Sequence, residues 1–95
     1  MTFDEWKNLD WGALQKVTLE EIEENNLYPD DGRVPHVPFG FAHAKWVQWK
    51  AQIREGDELY YFSSSAEAWR NLAGREGYAL IREGQVVDTM VTLMN

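Results

Sequence analysis

The sequence predicts an α+β domain: an antiparallel four-stranded sheet of two hairpins, covered by helices, in the order α-α-loop-β-β-α-β-β. Three observations carry that expectation. Residues 56–95 alternate as strands do, on either side of a capped helical segment. The tetrapeptide Ile-Arg-Glu-Gly occurs twice, at 53–56 and 81–84, and glycine at a left-handed turn position is the chemistry of a tight hairpin. Residues 1–26 hold two capping-box signatures, each the start of a helix.

Thr2-Phe3-Asp4-Glu5 sets an N-cap threonine three residues before a glutamate. Phe3, Trp6 and Leu9 follow at near-helical spacing, which predicts a helix over 3–10, interrupted at Gly12. Thr18-Leu19-Glu20-Glu21 repeats the signature, with Leu19 and Ile22 as a thin apolar stripe and an end near Asn25-Asn26. All three prolines fall in 27–40; proline fixes φ and removes a donor, so this stretch is a loop over the core and no central strand. Over 42–53 the period becomes two. Val47, Trp49, Ala51 and Ile53 share one face and Trp46, Gln48, Lys50 and Gln52 the other, which predicts a strand.

Glu55-Gly56 then turns the chain, and Leu59, Tyr60, Tyr61 and Phe62 return it as the second strand. Ser64 as N-cap and Glu67 at N3 form a third capping box and start a helix over 65–73, with Ala68, Trp69, Leu72 and Ala73 on its apolar face and Gly74 or Gly77 at its end. The last hairpin turns at Glu83-Gly84. Beyond it Val87, Thr89, Val91 and Leu93 alternate with Asp88, Met90, Thr92 and Met94. The expected core is Val47, Trp49, Ile53, Leu59, Trp69, Leu72, Leu80, Val91 and Leu93.

Ninety-five residues suit one domain over 1–95, with a helical part at 1–26, the proline-rich loop at 27–40 and a β-β-α-β-β part at 42–95. A chain this short buries only about 60–65% of its unfolded surface, which leaves no room for a large enclosed cavity. Its 44% apolar content, with five Trp, suffices to fold without staples, and the lack of cysteine excludes disulfides and thiolate chemistry. The acidic N-terminus lacks the basic and apolar regions of a signal peptide, and no apolar run approaches 18 residues. A cytoplasmic protein that does not span a membrane is expected.

The net charge of −7 is unevenly placed. Residues 1–44 carry nine acids and three bases, and Glu20, Glu21, Glu23, Glu24, Asp30 and Asp31 fall in a stretch, 18–31, with no Lys or Arg. Such a surface repels nucleic acid and anionic membranes and attracts a basic partner; it is equally the composition of a solvated acidic helix that keeps a protein in solution.

Motifs for chemistry are missing. His36 and His43 stand seven apart without a metal-ligand spacing or an identifiable orienting carboxylate. Asp30-Asp31-Gly32 lacks the alternating oxygen ligands and distal glutamate of a calcium loop and reads as a turn. Ser63, Ser64 and Ser65 stand in no nucleophile elbow, and no glycine cluster precedes a helix to cradle phosphate. No catalytic residue, metal or cofactor is expected.

Two aromatics bear on binding. On the strand reading Trp46 points away from Val47 and Trp49, and Tyr60 falls on the opposite parity from Leu59 and Tyr61. Either they form an exposed anchor for a partner, or the proline-rich segment covers Trp46.

Gly56-Asp57-Glu58, Trp69, Leu72-Ala73-Gly74-Arg75, Gly77, Leu80, Arg82, Gly84, Val86 and Met94-Asn95 resemble a motif of short, mostly uncharacterised bacterial proteins. These carry GDE, a tryptophan-bearing helix, LAGR, a glycine hairpin and a closing MN. The resemblance covers about the last 40 residues and implies a bacterial source and a compact α+β domain, but no activity. Ser65 stands where such proteins often have proline, which alters a helix start only.

Together these point to a small acidic, non-catalytic protein-binding module, in its most specific form an immunity- or antitoxin-type inhibitor of a basic bacterial partner. The binding residues would be Glu20, Glu21, Glu23, Glu24, Asp30, Asp31, Trp46 and Tyr60. A small-ligand or self-associating regulatory module, a nucleic-acid mimic, and a small enzyme using His36 or His43 are the alternatives.

Overall fold

A computed structural model describes residues 1–95. In chain order the elements are α1 (Phe3–Lys7), β1 (Trp11–Val17), α2 (Leu19–Asn25), a 3₁₀ turn (Gly40–Ala42), α3 (His43–Lys50), β2 (Glu58–Ser64), α4 (Ala66–Arg70), β3 (Arg75–Arg82) and β4 (Gln85–Met94). They form two compact units, one from Met1–Val17 with Glu55–Asn95 and one from Thr18–Arg54.

The first unit holds the expected four-stranded antiparallel sheet, in the order β1-β2-β3-β4. One strand is exchanged relative to the sequence reading. Residues 42–53 form α3, not a strand, because Trp46, Trp49 and Ile53 also repeat at helical spacing, and Ala44, Lys45, Gln48 and Lys50 favour a helix. The missing strand is β1, where helix-favouring Ala13, Leu14, Gln15 and Lys16 are carried into the sheet by pairing with β2. Its apolar alternation is broken by an irregularity at Gly12, where a Cβ would lie 2.6 Å from the Ser64 carbonyl.

One face of the sheet presents Leu14, Tyr60, Phe62, Ala79 and Ile81 to α1. Trp6 meets Phe62 edge-on at 5.5 Å and Trp11 at 5.0 Å, and the Trp11 indole donates to the Trp6 carbonyl at 2.8 Å. Full burial of a ring such as Phe62 contributes about 3 kcal/mol. The other face carries Leu59, Tyr78, Leu80 and Met90, also buried. Gly77 is fixed by a close approach: any Cβ there would meet the Met90 carbonyl oxygen of the adjacent strand.

The β3–β4 hairpin turns at Glu83-Gly84 as expected, with φ of 50° and 75°, the two left-handed residues of a type I′ turn. Gly56 is also left-handed at φ 88°, but its turn follows α3, so the first of the two expected hairpins is absent. Asp57, beside it, accepts from the Arg82 guanidinium at 2.9 and 2.8 Å. That pair continues the β2–β3 register one residue past Glu58↔Ile81.

Helix α4 is shorter than the expected 65–73. Its N-cap is Ser65, not Ser64: the Ser65 hydroxyl accepts from Ala68 N at 3.2 Å and donates to Asp10. Ser64 instead bonds the Arg75 backbone. The helix stops in a Schellman arrangement, Ala73 N to Ala68 O and Leu72 N to Trp69 O, with Leu72 in the left-handed position glycine usually fills. Asn95 closes the segment, bonding Gly74 N at 2.8 Å and Trp69 O.

In the second unit, α2 begins with the expected Thr18–Glu21 capping box and buries Ile22. It ends at Asn26 without left-handed geometry, the Asn26 side chain donating to Ile22 O at 2.7 Å. Of the expected core, Trp49, Leu59 and Leu80 are buried and Ile53, Trp69 and Val91 half-buried. Val47, Leu72 and Leu93 are exposed, which corrects that assignment: the turn of α3 sends Val47 outward, left-handed geometry lifts Leu72 off α4, and Leu93 lies at the end of an edge strand. No helix is long and apolar enough to cross a membrane.

Candidate functional site

The acidic residues lie in the unit Thr18–Arg54. Glu20 and Glu24 are exposed on α2; Asp30 and Asp31 are exposed in the turn after it. None of the four is ion-paired. Asp31 accepts from Arg33 N at 3.0 Å, the ordinary bond of an aspartate turn. Glu21 is partly spent on its own helix, accepting from Thr18 N at 3.0 Å.

Glu23 does other work. Its Oε2 accepts from the Trp46 indole at 3.0 Å and from Lys50 Nζ at 3.1 Å, which ties α2 to α3. The indole bond holds the Glu23 carboxyl below the ordinary glutamate value, against the opposing effect of its burial, with Lys50 adding to the depression. Glu23 therefore leaves the steering set.

Trp46 is 1% exposed, stacked 5.9 Å from Trp49 and tilted against Phe39 at 5.1 Å, and cannot anchor a partner. The helical period that overturned the strand reading is the cause, since it turns Trp46 and Trp49 to the same side. Tyr60 is half-buried in the other unit, its ring packed 4.6 Å from Phe3. The eight residues expected to act together are thus divided: Glu20, Glu24, Asp30 and Asp31 are exposed and not ion-paired, Glu21 and Glu23 are bonded within the fold, Trp46 is core and Tyr60 half-buried.

The residue the sequence reading missed is Phe41, 79% exposed. Phe39 and Gly40 are consecutive left-handed residues, φ 66° and 52°, and reverse the chain so that Phe39 turns in while Phe41 turns out. Gly40 is buried so tightly that a Cβ would lie 2.6 Å from Val34 and 3.1 Å from the Tyr28 ring. Tyr28, itself exposed, therefore stands beside the turn that presents Phe41. Along α3 and its C-cap the exposed Ala44, Val47 and Ala51 continue at helical spacing from Phe41. A glycine between two aromatics was the available signal.

His36 and His43 do not form an acid–base pair. Each ring bonds a backbone carbonyl through Nδ1, His36 to Tyr28 and His43 to Pro38, both at 2.9 Å. A carbonyl only accepts, so Nδ1 carries the proton and neither ring is oriented by a carboxylate there. No three His, Asp or Glu side chains gather where they could hold a metal ion. In the sheet unit Tyr61 shares hydrogen bonds with Glu76 and Ser63; burial first, then the Glu76 charge, push its phenol up. Ser63 also accepts from the Trp69 indole at 3.3 Å, a network that fastens α4 to β2.

Comparison with family models, curated proteins and solved structures gives no match.

Proposed function

We propose that the chain is a non-catalytic protein-binding module whose contact surface lies on residues 18–54, and, most specifically, an immunity- or antitoxin-type inhibitor of a basic bacterial partner. One observation carries this: exposed Phe41, with Tyr28 beside its turn, shares a compact unit with the unpaired carboxylates Glu20, Glu24, Asp30 and Asp31. An aromatic anchor inside a charged surround is the usual make-up of a binding hot spot and its rim. The bacterial source rests on the resemblance of the C-terminal motif.

Steering and anchoring separate in binding kinetics. Glu20→Lys with Glu24→Lys should slow association, more at low salt than at high salt, because exposed charges are screened within about 10 Å at 0.1 M. Phe41→Ala should speed dissociation, costing about 2 kcal/mol if it fills a pocket on the partner. A partner whose association is indifferent to salt and to the two reversals removes the electrostatic half of the proposal.

A further inference from the structure

In the sheet unit Lys7, Lys16 and Arg82 are ion-paired, to Asp4, Glu58 and Asp57. Arg70 and Arg75 are exposed and carry no ion pair. Between them stands Leu72, 75% exposed. No acid lies within 68–75; Glu76, next along the chain, is bonded to the Tyr61 phenol, and Glu67 belongs to the first turn of α4. The unpaired side-chain cations of this unit thus gather at one turn, around one apolar side chain.

That turn holds the side chain out. Leu72 sits at φ 58°, a conformation that strains a leucine and not a glycine. The helix end fixes it there, Ala73 N donating to Ala68 O at 2.9 Å and Leu72 N to Trp69 O at 3.3 Å. Beneath it the Trp69 ring lies so close to Gly74 that any Cβ there would run into the ring, and Ser63 Oγ accepts from the Trp69 indole at 3.3 Å. The segment is buttressed from below. Packing does not explain Leu72, since most of it is in solvent, and glycine would suit the backbone better. Strain held at such a position points to a contact made outside the fold.

We infer that the turn 70–75 docks an acidic segment of another protein, one apolar side chain of which packs on Leu72 while carboxylates on either side of it take the Arg70 and Arg75 guanidiniums. Charge complementarity selects that occupant. A guanidinium presents a planar fork of donors that matches a carboxylate with two bonds. A nucleic acid also offers anions, but each phosphate beyond the two guanidiniums would meet a chain of net charge −7. The surface belongs to the sheet unit, so it is independent of the one proposed on residues 18–54, and it takes the opposite charge.

The test is a titration of the ¹⁵N-labelled full chain with three synthetic peptides. One has a leucine pair flanked by glutamates, the second has lysines for the glutamates, and the third has glycines for the leucines. The first should move backbone amides concentrated at 68–76, less as salt rises, and the other two should bind at least about ten-fold more weakly. Leu72→Gly should weaken the first peptide about ten-fold while the melting temperature rises, which separates loss of the contact from loss of the fold. Arg70→Gln with Arg75→Gln should weaken it by at least as much and remove most of the salt dependence. Amides at 68–76 that stay in place at about 1 mM of the first peptide overturn the inference. Equal binding of the lysine peptide, or undiminished binding by Leu72→Gly or by the double glutamine variant, overturns it too. Shifts at 68–76 with a single-stranded oligonucleotide and none with the peptides would give the turn to a polyanion instead.

Discussion

Breaking the Asp57–Arg82 pair should be costly in one direction and milder in the other. The Asp57 side chain is 2% exposed while that of Arg82 is 25% exposed. Arg82→Ala leaves an ionised carboxylate in the interior, worth about 3 kcal/mol or more for a buried pair cut on one side. Asp57→Ala leaves a guanidinium that water still reaches, so its loss should be about half as large. The double variant removes the carboxylate together with the guanidinium and should be more stable than Arg82→Ala alone, since a buried ion pair as a whole adds little net stability. A loss of about 3 kcal/mol is a large share of what a small domain has. Urea unfolding followed by tryptophan fluorescence, with the slope held equal between variants, measures each value. If Asp57→Ala costs as much as Arg82→Ala, or if the double variant is the least stable of the three, the burial argument is refuted.

Three more outcomes follow from local geometry. Glu23 has a folded pKa below the ordinary glutamate value of 4.5, so its contribution is present above that value and lost as pH falls through the lower folded one; Glu23→Gln should flatten the acid limb of a stability–pH curve, and an unchanged limb would place the effect elsewhere. Leu72→Gly and Glu83→Asn should each stabilise by about 0.5–1 kcal/mol, because Leu72 (φ 58°) and Glu83 (φ 50°) hold left-handed positions that glycine and asparagine tolerate better; a fall in melting temperature would show that those side chains make contacts worth more than the strain. Gly77→Ala should cost about 2–3 kcal/mol by driving a methyl into the Met90 backbone, against about 1 kcal/mol for Gly56→Ala, which meets open space and only an unfavourable φ; equal losses would mean that β4 yields freely.

Local chemistry was legible where a few neighbouring residues decide it. Thr2 with Glu5 and Thr18 with Glu21 form two of the three expected capping boxes, and Glu83-Gly84 forms the expected turn, since each depends only on residues within one helical turn or one hairpin. Trp46, Val47 and Trp49 were not legible, because a run of eight residues supports a period of two or of 3.6 equally, and tertiary packing chose. Strand β1 was hidden for a related reason: its residues favour helix and only the β2 edge makes them a strand. The candidate surface moved with α3. Once that segment is helical Trp46 becomes core, and Phe41, in the 3₁₀ turn before α3, becomes the exposed aromatic through two left-handed residues.

The central claim, binding of a basic protein through residues 18–54, is tested most directly by quantitative affinity capture from cells of the source organism. Wild type, Phe41→Ala and the Glu20→Lys, Glu24→Lys variant would be compared side by side, each confirmed folded by circular dichroism. The account predicts one basic protein enriched by wild type, depleted with both variants, and released as salt rises. Recovery of the same proteins in the same amounts by all three baits, or a main partner that is itself acidic, would contradict it.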